Sequence, residues 1–148
     1  MADNLTLAIA SDHAGVELKT TLKSDFPNIS WKDLGPESTD SVDYPDFADR
    51  LCKMILSGEC ERGVLICGSG IGMSIRANRY SGIRAALCLS EHMAELSRQH
   101  NNANVLVLAS RITDEKTIHN IVAKFLSTEF EGGRHQRRVD KLDAPINQ

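Results

Sequence analysis

Cys67 opens a run, Cys67-Gly68-Ser69-Gly70-Ile71-Gly72, in which a thiol is followed by three glycines at alternate positions. The apolar residues 64–66 precede it and a helix-compatible stretch follows, so the run reads as a buried strand turning tightly into a helix. Glycine lets a backbone turn sharply and lie close to a ligand. A helix start adds N–H groups without partners and a positive potential, which suit an anion. A thiol in that position shares the field, which favours its anionic form. The chemistry implied is a nucleophile or base beside an anion cradle. Two simpler readings stand beside it: a buried cysteine that only packs, and a tight strand–helix connection that binds nothing. A dinucleotide fingerprint is a poor match, because the third glycine comes one residue early and the run does not follow the first strand. The phosphate loop of nucleotide hydrolases is absent too, since no Lys-Ser or Lys-Thr follows the glycines.

Other residues with chemical potential lie in three further places. Asp12 and His13 follow the first apolar run. His100 ends an expected helix within Ser97-Arg98-Gln99-His100-Asn101-Asn102, where it either caps the helix or serves as an acid. After Gly132-Gly133 comes a basic cluster, Arg134-His135-Gln136-Arg137-Arg138, with Arg134 and Arg138 on one helix face. Two guanidinium groups so placed suit a phosphate. His92 and His119 fall inside expected helices and are assigned surface or packing roles. Cys52 and Cys88 are assigned to the core.

The elements that must position these residues alternate along the chain. Strands are expected at residues 5–10, 29–34, 64–67, 83–88 and 104–109. Helices are expected at 16–25, from Pro45 to near 57, at 72–79, and from the Ser90 cap to about 100. A further helix begins after Thr113 or Asp114, and a last short one opens at Arg134. Five strands alternating with helices predict a parallel sheet covered on both faces, a three-layer α/β/α sandwich. Ligands of such sheets bind beyond the carboxyl ends of the strands. That directs attention to Asp12 and His13, to the glycine turn, to residues 89–92, and to Ser110 and Arg111.

Composition narrows the class. The 148 residues are 41% hydrophobic and 25% charged, enough for one soluble domain spanning 1–148. The net charge of -3 gives no basic field for nucleic acid. No apolar run approaches the ~20 residues a membrane span needs, and residues 1–4 do not resemble a secretion leader. The four cysteines form no CxxC pair, which argues against a zinc site and for a reduced, cytoplasmic protein. No cofactor or metal is expected.

Together these segments resemble the ribose-5-phosphate isomerase B family, within the wider group that includes galactose-6-phosphate isomerase subunits. The resemblance runs from Ile9 to Val139. It is carried by Ser11-Asp12-His13-Ala14-Gly15, Asp43-Tyr44-Pro45, the Cys67–Gly72 run, Ala77-Asn78, Gly82-Ile83-Arg84-Ala85, Leu96-Ser97-Arg98-Gln99-His100-Asn101, Gly132-Gly133-Arg134-His135 and Arg138. It implies a Rossmann-like fold and the interconversion of an aldose and a ketose sugar phosphate, without a metal. By the same resemblance Cys67 matches the base and His100 the acid that opens the sugar ring. Gly68, Ser69, Gly70, Ile71 and Gly72 match the turn that holds the enediolate. Asp12, His13, Asn101, Arg111, Arg134 and Arg138 match substrate or phosphate contacts. Some relatives instead carry a glutamate base where this chain has Met73, so the chain resembles the cysteine type. The resemblance further implies a homodimer or homotetramer with sites shared between subunits. The substrate is left open between five- and six-carbon sugar phosphates. A non-catalytic sugar-phosphate or nucleotide-binding module is the alternative of another class.

Overall fold

The computed structural model describes residues 5–148, so the reading of the N-terminus falls outside the described residues. Five strands form one parallel sheet: β1 (Thr6–Ser11), β2 (Ser30–Asp33), β3 (Arg62–Cys67), β4 (Ala85–Leu87) and β5 (Val105–Ala109). Their order across the sheet is β2-β1-β3-β5-β4. Six α-helices accompany them: α1 (Val16–Asp25), α2 (Tyr44–Leu56), α3 (Ile71–Ala77), α4 (Glu91–Gln99), α5 (Glu115–Ser127) and α6 (Arg134–Asp143).

Burial on both faces explains the unbroken apolar runs of the three central strands. Leu7, Ile9, Val64, Ile66, Leu106 and Leu108 face α1, α4 and α5, where they meet Leu22, Ala94, Ile118, Ile121 and Phe125. The alternate residues Ala8, Ala10, Leu65, Cys67, Val105 and Val107 face α2 and α3, against Phe47, Leu51, Met73 and Ala77. The side-chain period of two assigns each neighbour to the opposite layer. The polar strand Ser-Trp-Lys-Asp survives because β2 is an edge.

The expected elements are all present, with shifted ends. β4 is three residues long where the sequence predicts six. Side-chain amides replace its ladder at the start: Asn104 Oδ1 accepts from the Arg84 amide at 2.8 Å, and Asn78 Oδ1 accepts from the Ala85 amide at 2.8 Å. Of the two candidate caps for α5, Asp114 takes the role, accepting from the Thr117 amide at 2.9 Å. Ser90 caps α4 through the Met93 amide, as expected.

Candidate active site

The carboxyl ends of β1, β3 and β5 bring one group of residues together. Cys67 ends β3, 5% exposed, level with Ala109 of β5. Beside it Asp12 leaves β1, its amide donating to the Ile66 carbonyl at 3.0 Å. The Asp12 carboxylate accepts from the Ala14 amide at 2.9 Å, which fixes the turn at His13. His13 Nδ1 accepts from the Val42 amide at 3.3 Å, so the ring carries its proton on Nε2. After β5, the Ser110 and Arg111 amides donate to the Cys67 and Gly68 carbonyls, each at 3.0 Å. The Arg111 side chain then lies over Gly68, with Nη1 3.5 Å from where a Cβ would stand.

The glycines answer specific demands. Gly70 has φ +76°, and a side chain there would strike Leu87. A Cβ on Gly72 would stand 2.7 Å from the Tyr44 hydroxyl, because the Tyr44 ring lies across the turn. Ser69 Oγ accepts from the Ile71 amide at 3.2 Å. The amides of Gly70 and Gly72 meet no protein acceptor among the described residues. Two backbone donors without protein acceptors thus lie in the turn that follows Cys67, and donors of this kind suit an oxyanion. Met73 is fully buried beneath them and serves the core.

A second group gathers at the opposite end of the sheet. His100 follows α4, its amide donating to the Leu96 carbonyl at 2.9 Å. Its ring stacks on His135 of α6, centroids 4.3 Å apart and planes 11° from parallel. Glu131 Oε1 lies 3.8 Å from His100 Nε2 and 3.5 Å from His135 Nε2. Burial first, then the neighbouring His100, holds the His135 imidazolium below its ordinary range. Arg98, 2% exposed, fixes the turn that follows: it donates to Asn102 Oδ1 at 2.9 Å and to the Ala103 carbonyl at 2.7 Å. Burial lowers its guanidinium to about 10. At the far end of α6, Asp143 accepts from Arg84 at 2.8 and 3.0 Å. Arg134 and Arg138, both exposed, therefore stand at this end. Asn101 lines a cavity of about 380 Å³ there, with Arg84, Ala86 and Leu142 among its walls.

The two groups are separated by the sheet. Residues 100–103 precede β5, whose first residue pairs with Gly63 and whose last pairs with Cys67. Four strand steps at ~3.3 Å put about 13 Å between those levels. The chain therefore joins Asp12, His13, Cys67, the glycine turn and Arg111, and keeps His100, Asn101, Arg134 and Arg138 apart from them.

The sequence model of the Ribose/Galactose Isomerase family matches residues 7–142. The chain belongs to that family. A putative sugar phosphate isomerase of Rickettsia bellii is 47% identical over 139 residues, covering 93% of this chain and 96% of the relative. Ribose-5-phosphate isomerase B of Escherichia coli is 39% identical over 140 residues, covering 93% of this chain and 94% of its own. The crystal structure of a ribose 5-phosphate isomerase from Thermotoga maritima superposes with a TM-score of 0.91 at 53% identity, covering 94% of this chain and 97% of the other. In the ribose/galactose isomerase family the doubly covered five-stranded sheet is thus shared, and the carboxyl-end turn described above sits on it.

Several residues at these two ends went unassigned in the sequence. Glu131 and His135 are four apart, a spacing that places both side chains together across the start of α6. Their nitrogen and oxygen atoms and His100 Nε2 all lie within 4.8 Å. Tyr44 stands in the Asp43-Tyr44-Pro45 motif, which gave no hint that the ring crosses Gly72. The remaining cysteines are core residues: burial pushes Cys52 to about 12 and Cys88 to about 11, and raises Cys60. His92 is exposed on α4, and His119 stacks on Phe26 with centroids 4.8 Å apart, matching their assigned roles.

Proposed function

We propose that this chain interconverts D-ribose 5-phosphate and D-ribulose 5-phosphate through a cis-enediolate, in a homodimer or larger assembly with sites shared between subunits. The names carried by its relatives supply the substrate. The separation of the two residue groups carries the assembly: no single subunit offers both Cys67 and His100 to one sugar, whereas two copies, each presenting opposite ends, do.

In this reading His100 and Asn101 of one subunit meet the furanose, and His100 delivers a proton to the ring oxygen as the C1–O bond breaks and the anomeric hydroxyl releases its proton to water, leaving the open-chain aldehyde. Cys67 of the other subunit, as thiolate, takes the C2 proton and returns one to C1, while the proton of the C2 hydroxyl passes to O1, so that the aldehyde becomes an alcohol and C2 the carbonyl. The charge that develops on the enediolate oxygen falls to the amides of Gly70 and Gly72. Aligned donors of this kind contribute ~10²–10³-fold each in a well-studied case, beside ~10²–10⁴-fold for a positioned base. His13 Nε2–H, Arg111, Arg134 and Arg138 take the phosphate, using binding energy remote from C1 and C2. Asp12 and Ser69 orient the sugar hydroxyls. The unpaired thiols at 52, 60, 67 and 88 suit the reducing cytoplasm. Among the described residues no helix is long and apolar enough to cross a membrane. The partner is a small sugar phosphate, with no part for nucleic acid or lipid.

The experiment is a direct assay of ketose formation from ribose 5-phosphate, run in parallel with galactose and allose 6-phosphates and repeated with chelator. Preferred turnover of the five-carbon sugar, unaffected by chelation, is expected. Preference for a six-carbon sugar overturns the substrate, and binding without turnover overturns the activity.

A further inference from the structure

Residues 34–43 join β2 to α2 and cross the carboxyl end of the sheet. Their near end is fastened to β1: the Leu34 amide donates to the Ile9 carbonyl at 2.8 Å, and the Gly35 carbonyl accepts from Ser11 at 3.1 Å. A buried charge adds to this. Lys19 of α1 is 2% exposed, and its ammonium donates to Asp33 Oδ1 and to the Pro36 carbonyl, each at 2.7 Å. The same carboxylate accepts from Lys23 at 2.7 Å and from the Gly35 amide at 2.9 Å. Burial works against the Asp33 carboxylate, and the hydrogen bonds from Lys19, Lys23 and Gly35 together hold its pKa below the ordinary range.

An ammonium is costly to bury unless it is paired and its remaining protons are bonded. Lys23 reaches Asp33 from a far more exposed position, with 38% of its side chain accessible against 2% for Lys19. Charge balance alone therefore does not require a second, buried lysine. What Lys19 adds is the bond to Pro36, a carbonyl in the crossing segment itself.

The far end of that segment reaches the site twice. The Val42 amide donates to His13 Nδ1 at 3.3 Å, and Tyr44, which opens α2, lies across Gly72. The first contact selects the tautomer of His13. With Nδ1 accepting, Nε2 carries the proton and donates to an anion; without Val42 the ring is free to turn and exchange tautomers.

We propose that Lys19 and Asp33 are positioning residues of the active site, holding the 34–43 segment so that Val42 fixes His13 as an Nε2–H donor. This rests on the reading of His13 as a phosphate ligand. The link runs from α1 through a buried ion pair and a loop carbonyl to a histidine that neither residue touches.

The test is Lys19→Met, which keeps length and removes charge, together with Asp33→Asn, at a side chain that retains some solvent access. Two readouts are taken at a temperature where each variant is folded. Long-range ¹H–¹⁵N spectra, with the His13 signals assigned by comparison with His13→Gln, report the tautomer without substrate. Steady-state kinetics with ribose 5-phosphate separate KM from kcat. Expected are a shift of His13 from one Nε2–H form to a mixture and a rise in KM of about twofold, the factor that follows when half of His13 leaves the Nε2–H form, with kcat little changed. A purely structural role lowers the melting temperature and leaves both readouts at wild-type values, and that result in folded Lys19→Met overturns the proposal. Should Lys19→Met fail to fold, an unchanged tautomer and KM in Asp33→Asn overturn it instead. If the wild-type protein does not turn over ribose 5-phosphate, the functional reading fails, and the spectra still decide the clamp.

Discussion

Mixing two inactive variants probes the proposed sharing of sites directly. Cys67→Ser removes the proposed base from the carboxyl-end group, and His100→Ala removes the proposed acid from the amino-end group. The strand pairing puts about 13 Å of sheet between the two levels, so in the proposed dimer each site draws one residue from each subunit. In a mixed dimer, one site receives both defects. The other combines intact Cys67 from one chain with intact His100 from the other. Random reassembly of equal amounts makes half of the dimers mixed, each with one whole site of two, which restores roughly a quarter of wild-type activity. Either parent alone falls by ~10²-fold or more, the scale of a lost acid or base, so the recovery stands well above background. Co-expression with different affinity tags isolates the mixed dimer, and formation of ribulose 5-phosphate is the readout. Cys67→Ser mixed with Asp12→Asn is the control, because both defects lie in the same group and every site inherits one. Recovery with the first pair and none with the control is expected. Mixed dimers of the first pair that stay at parental activity refute the sharing of sites.

Two further outcomes follow from the same geometry. Gly70→Ala forces a side chain into the left-handed region, at roughly 1–2 kcal/mol, and against Leu87; kcat is expected to fall with the displaced amides while a phosphate-bearing inhibitor still binds, as inhibition kinetics report. The folded-state pKa of His135 lies below its unfolded value, so its contribution to stability is complete above about pH 6.5 and is lost as pH falls through the folded pKa. His135→Phe keeps a ring against His100 and removes the titration, so its melting temperature is expected to fall less than that of the wild type as pH drops below that range.

The fold was legible because local signals agreed with it. Apolar runs marked β1, β3 and β5, and Ser90, Asp114 and Pro45 marked the helix starts. The short β4 was overdrawn, since Asn78 and Asn104 take over backbone bonds there and a side chain's role as a ladder substitute has no periodicity to show it. The order of strands was beyond local pattern as well: nothing in residues 83–109 says that β5 inserts between β3 and β4.

The site was legible in its residue types and less so in its arrangement. Cys67, the glycines and Asp12 announce themselves by position after strands. That His100 lies at the other end follows from the direction of α4, which becomes visible only once the sheet is assembled. Lys19 and Arg98 look like surface charges in amphipathic stretches. Both are 2% exposed, because each finds carbonyl and side-chain oxygens contributed by distant loops, a circumstance that spacing along one helix does not encode.

The proposed reaction depends above all on Cys67 as the group that carries the proton between C2 and C1. Incubating ribose 5-phosphate with Cys67→Ser in deuterated water, and following both ketose formation and label uptake into the sugar, examines that role at the atom concerned. Both are expected to fall by ~10²–10⁴-fold while phosphate binding is retained. Turnover and label uptake near wild-type rates in that variant would contradict that role.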